Sequence, residues 1–131
     1  MLDTNIVLDV FVFGDAAARP LHQGLLEGRL QWLATAAMRQ ELERVLAYPQ
    51  LARRMSAGGI AAAEVLGAFD RHAQPAPSAP RAGPACRDPD DQKFIDLAVA
   101  RRAALLSKDR AVLALGKRLA GLGVHVAPAL A

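Results

Sequence analysis

Short apolar segments alternate with longer amphipathic segments along the whole 131-residue chain. The short segments predict β-strands at residues 1–2, 30–34, 105–106 and 124–126. The longer segments repeat apolar residues at helical spacing and predict helices over 6–13, 19–28, 35–47, 57–72, 89–102 and 110–120. Strands that alternate with helices form parallel sheets covered on both faces. The chain is therefore predicted to be an α/β protein, a three-layer α/β/α sandwich around a central, mainly parallel sheet.

The length and composition predict one domain, residues 1–131, with 53% apolar residues available for a core. Segment 74–85 contains four prolines and is interpreted as a surface loop of that domain. No apolar run reaches the roughly 18 residues of a transmembrane helix, and Asp9 interrupts the first run, which has no basic leader. A single cysteine, Cys86, excludes an internal disulfide. We therefore expect a cytoplasmic protein with no membrane partner.

The charge balance is compatible with a polyanionic partner. Formal net charge is +3, from 16 basic and 13 acidic residues. If four of the acids, Asp3, Glu41, Asp91 and Asp109, lie in one pocket, the rest of the molecule carries 16 basic and 9 acidic residues, a net charge of +7. A basic body around an acidic pocket suits a polyanion that is held by its phosphates and cut at metal ions. Biased composition is an equally good explanation, because the chain is rich in arginine and alanine.

Asp91 is the acid that is hardest to explain as a surface charge. It lies in the segment RDPDDQKFIDLAVARR, where Asp88 before Pro89 is typical of a helix start. At about 100° per residue, Asp91 falls on the apolar face of this helix, whereas Asp96 falls about 140° away, toward solvent. A carboxylate on a buried face needs a partner. The alternative is an acid that stabilises the helix N-terminus.

Three further acids have comparable positions. Glu41 lies nearer than Glu43 to the apolar face of the helix predicted over 35–47. Asp3 and Asp109 each follow a predicted strand, and ligands gather at the carboxyl ends of parallel strands. Helix capping and solvated surface charge remain the alternatives for these acids. The functional interpretation places four acids in one pocket: Asp3, Glu41, Asp91 and Asp109.

These four acids, with the segments around them, resemble the four motifs of the PIN-domain nucleases, and most closely a subgroup assigned to the toxins of toxin–antitoxin systems. The matching segments are LDTNIVLDV with Asp3, ELERVL with Glu41, CRDPDDQKFIDLA with Asp91 and LLSKDRAVL with Asp109. The resemblance implies a PIN-like fold in which the acids bind one or two Mg²⁺ or Mn²⁺ ions. It also implies an endonuclease, and in particular a ribonuclease that cleaves single-stranded RNA.

Residues adjacent to the four acids complete the expected site. Three polar residues are expected to orient ligands or waters: Thr4, Asn5 and Ser107. Four basic residues are expected to contact substrate phosphates: Arg87, Lys93, Lys108 and Arg110. Two positions depart from the family pattern, since Lys108 stands where a glycine is usual and Ala111 where a second aspartate is usual. These departures favour the alternative, a catalytically inactive PIN fold that binds RNA or another protein.

Other phosphate and metal sites match less well. A phosphatase of the haloacid dehalogenase type needs an aspartate two residues after the strand-end acid, where this chain has Asn5. A calcium loop over 88–99 fails because Lys93 and Val99 stand at its glycine and glutamate positions. No ligand spacing links the three histidines, His22, His72 and His125. The expected partners are an RNA substrate, a small antitoxin protein and, in a homodimer, a second copy of the chain.

Overall fold

A computed structural model describes residues 1–130 and places eight α-helices and four short β-strands among them. The helices are α1 (Thr4–Leu8), α2 (Arg19–Leu26), α3 (Ala36–Leu46), α4 (Pro49–Ala57), α5 (Ala62–His72), α6 (Gln92–Arg101), α7 (Arg110–Leu113) and α8 (Gly116–Ala120). The strands are β1 (Trp32–Ala34), β2 (Ala73–Pro75), β3 (Leu105–Leu106) and β4 (Val126–Ala127). A π-helical turn, Asp9–Phe13, continues α1, and the 3-10 turns Ala16–Ala18 and Pro89–Asp91 precede α2 and α6.

The strand pairings among residues 1–130 are parallel. β1 pairs with β2, and β3 pairs with β4. Leu2 adds a single parallel bridge to Leu106, so that β3 lies between the start of the chain and β4. The α/β class with parallel strands is therefore confirmed. The hydrogen bonds define two separate strand pairs, each only two or three residues long, and the three-layer sandwich around one central sheet stays a prediction.

The predicted helix over 35–47 agrees well with α3 because its first residues cap it. Thr35 Oγ1 accepts a hydrogen bond from the Met38 backbone N–H (3.4 Å). The helix predicted over 57–72 is wrong at its start, because α5 begins only after Gly59, whose φ of +71° is unfavourable for a residue with a Cβ. Helix α4 was not predicted at all. Pro49 closely follows the helix predicted over 35–47, and proline favours the first position of a helix, which is its position in α4.

Smaller differences occur at the other boundaries. The helix predicted over 6–13 starts two residues earlier and becomes π-helical from Asp9, ending at Gly14 with φ +59°. The loop predicted over 74–85 contributes its first two residues to β2, and the strand predicted over 124–126 is shifted to Val126–Ala127. The helix predicted over 110–120 is divided into α7 and α8. The bounds of β2 and β4 differ from the prediction because they depend on pairing with distant strands, which local composition does not encode.

One cluster of buried apolar side chains connects the elements and fixes the position of α6. Phe94, Ile95 and Leu97 of this helix are almost completely buried, and the helix packs against α3 and β3. This packing holds the first turn of α6 beside the carboxyl ends of β3 and of residues 1–2, which pair with β3. Among the described residues, every helix is too short or too polar to span a lipid bilayer.

Candidate metal centre

Asp3 and Ser107 lie side by side where two neighbouring parallel segments end. The bridge between Leu2 and Leu106 sets the register, and the Asp3 backbone N–H donates to the Leu106 carbonyl oxygen (2.9 Å). The same register brings the Ser107 hydroxyl within 2.6 Å of Asp3 Oδ2, to which it donates a hydrogen bond. Both side chains are buried. Asp3 therefore lies at the carboxyl end of a parallel segment, as its place after the predicted strand at residues 1–2 indicates.

Ser107 also connects Asp3 to Asp109. The Asp109 backbone N–H donates to Ser107 Oγ (3.0 Å), and Asp109 Oδ1 accepts from the Ala111 N–H (2.8 Å) to cap α7. The capping alternative is therefore correct for one oxygen of Asp109. It does not exclude a role in the acidic group, because the same side chain reaches the neighbouring carboxylates.

Asp91 lies at the N-terminus of α6 and is 7% exposed. Its Oδ2 atom is the one buried side-chain oxygen or nitrogen within residues 1–130 that has no hydrogen-bond partner. Burial raises the pKa of Asp91 to about 8, and the charge of Asp3, a hydrogen bond to Asp109 that only the protonated acid can donate, and the charges of Asp109 and Asp88 add to the shift. A buried carboxylate oxygen without a donor is unfavourable, and a bound cation would stabilise it.

Asp88 joins Asp91 and Asp109 in a compact group that the sequence did not predict. Each of the three carboxylates presents an oxygen, and these oxygens lie within 4.8 Å of one another. The sequence indicated only that Asp88 caps a helix, and its Oδ1 does accept from the Asp90 N–H (3.0 Å). The available signal was the spacing of Asp88 and Asp91, because residues three apart on a helical turn lie on the same side.

Glu41 reaches the same region from α3. It is 8% exposed, whereas Glu43 is exposed at the surface, so the predicted difference between these two acids is confirmed. Thr4 Oγ1 donates a hydrogen bond to Glu41 Oε2. Lys93 Nζ lies 2.7 Å from Glu41 Oε1. Lys93 was expected to contact substrate, and in this structure it forms an ion pair inside the acidic group.

Electrostatic interactions link the five acids of this region, which are Asp3, Glu41, Asp88, Asp91 and Asp109. Burial raises the pKa of Asp3, the charges of Glu41 and Asp109 raise it further, and the hydrogen bond from Ser107 opposes the shift. Asp91 in turn experiences the charges of Asp3, Asp109 and Asp88. Several carboxylates at such short range repel one another and retain their protons to higher pH unless a cation is present.

The remaining basic residues predicted to bind phosphate have different environments. Arg87 and Arg110 are exposed and adjacent in sequence to Asp88 and Asp109. Lys108 instead forms an ion pair with the buried carboxylate of Asp9, and its backbone N–H donates to Asn5 Oδ1 (3.3 Å). Asp9 was not predicted to be functional. Its place inside the apolar run VLDVFVF was the signal that it needed a partner.

The prediction that Asp96 faces solvent is wrong. Asp96 is half-buried, and its Oδ1 accepts hydrogen bonds from the Ala82 N–H (2.9 Å) and from Gln92 Nε2 (2.8 Å). Gln92 also binds the loop, donating to the Pro84 carbonyl oxygen (3.0 Å) and accepting from the Cys86 N–H (2.7 Å). The helical projection placed Asp96 correctly away from the core, but the proline-rich loop covers that side of α6.

A family model described as the PIN domain matches residues 1–111, the segment that contains all five acids. The chain belongs to the PIN-domain family. No curated protein and no solved structure gives a significant match. PIN domains are generally nucleases that use a divalent metal ion, so membership identifies the coarse activity as that of a metal-dependent phosphodiester hydrolase.

The residues of this PIN domain fit a divalent ion on structural grounds. Carboxylate oxygens are the ligands that Mg²⁺ and Mn²⁺ prefer, and Asp88, Asp91 and Asp109 each present one of them. In addition, Oδ2 of Asp91 is buried and has no hydrogen-bond partner. A bound ion supplies a polarised phosphate oxygen and a water of lowered pKa. Ser107 fixes the orientation of Asp3 and Asp109, while Thr4 and Lys93 fix Glu41.

Proposed function

We propose that this PIN domain is an endoribonuclease that cleaves single-stranded RNA with Mg²⁺ or Mn²⁺ as its cofactor. The observation that carries the proposal is the buried, unpartnered Asp91 Oδ2 beside the carboxylates of Asp88 and Asp109. A purely structural helix-cap acid would have its oxygens hydrogen-bonded or solvated. An oxygen kept buried and unpaired among other acids is instead suited to a cation.

The four acids matched to the family motifs, Asp3, Glu41, Asp91 and Asp109, are proposed to form the catalytic group. Asp91 and Asp109 bind the metal ion directly. Asp3 and Glu41, which accept hydrogen bonds from Ser107 and Thr4, complete the acidic group beside that ion. The exposed side chains of Arg87 and Arg110 flank the group in sequence and bind substrate phosphates as point charges or bidentate donors.

RNA as the substrate and a toxin role are supported by the resemblance of the four motifs to the toxin subgroup. We therefore propose a cytoplasmic toxin that a small antitoxin protein neutralises and that associates as a homodimer. We also propose that the two strand pairs belong to one three-layer sandwich, and that residues 1–131, the last of which lies outside the described residues, form one domain.

A catalytically inactive PIN fold that binds RNA or another protein is the second candidate. The ion pair between Lys93 and Glu41 favours it, because an ammonium group occupies part of the acidic site. Lys108 and Ala111 in the fourth motif favour it as well. Against it stand the four retained acids, of which Asp3, Glu41 and Asp91 are buried at an energetic cost that a binding surface does not require.

Cleavage assays on matched substrates test the proposal. Single-stranded RNA, double-stranded RNA and single-stranded DNA of the same sequence, each labelled at the 5′ end, are incubated with the protein and Mn²⁺, Mg²⁺ or EDTA. We expect internal cleavage of single-stranded RNA with either metal, and none with EDTA. RNA binding without chelator-sensitive cleavage would support the inactive module, and cleavage of DNA alone would contradict the ribonuclease.

A further inference from the structure

The acids of the site differ in what already binds their oxygens. Both oxygens of Glu41 are engaged, Oε1 by the ammonium group of Lys93 and Oε2 by the hydroxyl of Thr4. One oxygen of Asp3 accepts from Ser107. The trio of Asp88, Asp91 and Asp109 contains the unpaired buried oxygen. The site therefore has one half suited to an ion and one half in which a positive charge is already present.

Lys93 is held in place by more than its ion pair. Its Nζ also donates to the Asp90 backbone carbonyl oxygen and lies 5.1 Å from the centre of the Phe94 ring. The side chains of Lys93 and Glu41 are only 25% and 10% exposed. Partial burial strengthens the attraction between the two charges relative to a surface pair. A second divalent ion at Glu41 would have to displace both the ammonium group and the Thr4 hydroxyl.

We propose that this site binds a single divalent ion, with Asp88 as a ligand beside Asp91 and Asp109, and that Lys93 supplies the second positive charge at Glu41. The proposal rests on the proposed metal-dependent nuclease, and it specifies which groups supply positive charge to the acids of its site. It assigns Lys93 to the site itself and Asp88 to the metal. Neither assignment follows from the four-acid resemblance.

The number of bound ions tests the role of Lys93 without any substrate. Mn²⁺ is titrated into the metal-free protein by isothermal calorimetry, and free Mn²⁺ is counted independently by electron paramagnetic resonance. We expect one ion for the parent and for Lys93→Arg, which keeps the charge. Lys93→Gln leaves Glu41 without a cation and should bind two ions. Lys117→Gln removes an exposed lysine of α8 and should bind one.

The role of Asp88 is tested by the affinity of that ion. Asp88→Asn removes the charge but keeps an oxygen that can accept from the Asp90 N–H, so the helix start is preserved. We expect Mn²⁺ to bind at least about tenfold more weakly, since even indirect partners of ligands change metal affinity by 10–100-fold. Asp90→Asn, which removes the exposed neighbouring acid, should leave the affinity within about twofold of the parent.

Two results would overturn the inference. If Lys93→Gln binds the same number of ions as the parent, whether one or two, the ammonium group does not replace a metal. If Asp88→Asn binds Mn²⁺ as tightly as Asp90→Asn does, Asp88 is a helix cap only. Failure of the proposed nuclease is distinguishable, because it would appear as an absence of RNA cleavage while these binding results still hold.

Discussion

Asp91 is a buried carboxyl group among other acids, and its pKa in the folded, metal-free protein is raised from 3.8 to about 8. Between these values the folded state binds more protons than the unfolded state, so the free energy of unfolding falls as pH rises. In EDTA we expect the parent to lose about 3–4 kcal/mol between pH 5 and pH 8, or roughly 10–15 °C in Tm. Thermal melts at a series of pH values measure this slope.

Two matched variants, Asp91→Asn and Asp90→Asn, test whether Asp91 causes this pH dependence. Asp91→Asn has no group to titrate at this position and should be less pH-dependent than the parent, with a higher Tm at pH 8 in EDTA. A residual slope is expected, because the pKa of Asp3 is raised as well. Asp90→Asn should follow the parent. Equal slopes for the parent and Asp91→Asn would contradict the raised pKa.

At the residue scale, helical periodicity correctly predicted two of the acids that face inward. It separated Glu41 from Glu43 and placed Asp91 on a buried face, as the structure has them. It failed to include Asp88, because a single residue can cap a helix and present its carboxylate to a cluster at once. The partner of Lys93 was also beyond the sequence, since Glu41 is 52 residues away on another helix.

The proline-rich loop and helix α6 are connected by two side chains of the helix, Gln92 and Asp96. Asp96→Ala removes the acceptor of the Ala82 N–H and of Gln92 Nε2, so we expect a loss of about 1–3 kcal/mol in the free energy of unfolding. Asp96→Asn keeps Oδ1 and should cost less than about 0.5 kcal/mol. Urea denaturation in EDTA measures both. If the alanine variant is as stable as the asparagine variant, the loop does not depend on this contact.

Prediction at the element scale succeeded where a local signal marks a boundary. Thr35 and Asp88 cap the starts of α3 and of the turn before α6, and both starts were predicted. The signal was ambiguous at Pro49, which ends one helix and begins the next. It was absent for β2, a strand at the edge of a proline-rich segment whose pairing with β1 is decided by a partner 41 residues earlier.

The whole molecule brings the acids together through three long-range arrangements. The parallel bridge of Leu2 to Leu106 aligns Asp3 with Ser107, packing of α3 delivers Glu41, and packing of α6 delivers Asp88 and Asp91. Order along the chain predicted the strand-end acids because parallel strands end at one edge. The distances within the group depend on packing between distant segments, and composition does not specify them.

A bound ion should stabilise the whole molecule, because it relieves repulsion among acids that come from four separate segments. Mn²⁺ at 100 times its dissociation constant adds about 2.7 kcal/mol to the free energy of unfolding, or roughly 10 °C in Tm. Asp91→Asn should lose most of this shift, and Asp90→Asn should keep it. Thermal melts at fixed ionic strength, with Mn²⁺ or EDTA, test the expectation. A full shift in Asp91→Asn would place the ion elsewhere.

Single-turnover cleavage of single-stranded RNA tests the central claim most directly. The rate with Mn²⁺ is compared for the parent, Asp91→Asn and Asp90→Asn, two adjacent and equally conservative changes of which only the first alters the buried acid. We expect Asp91→Asn to be slower by at least about 100-fold, as for loss of a metal ligand, and Asp90→Asn to remain within about twofold of the parent. Cleavage by Asp91→Asn at the parent's rate would contradict the account.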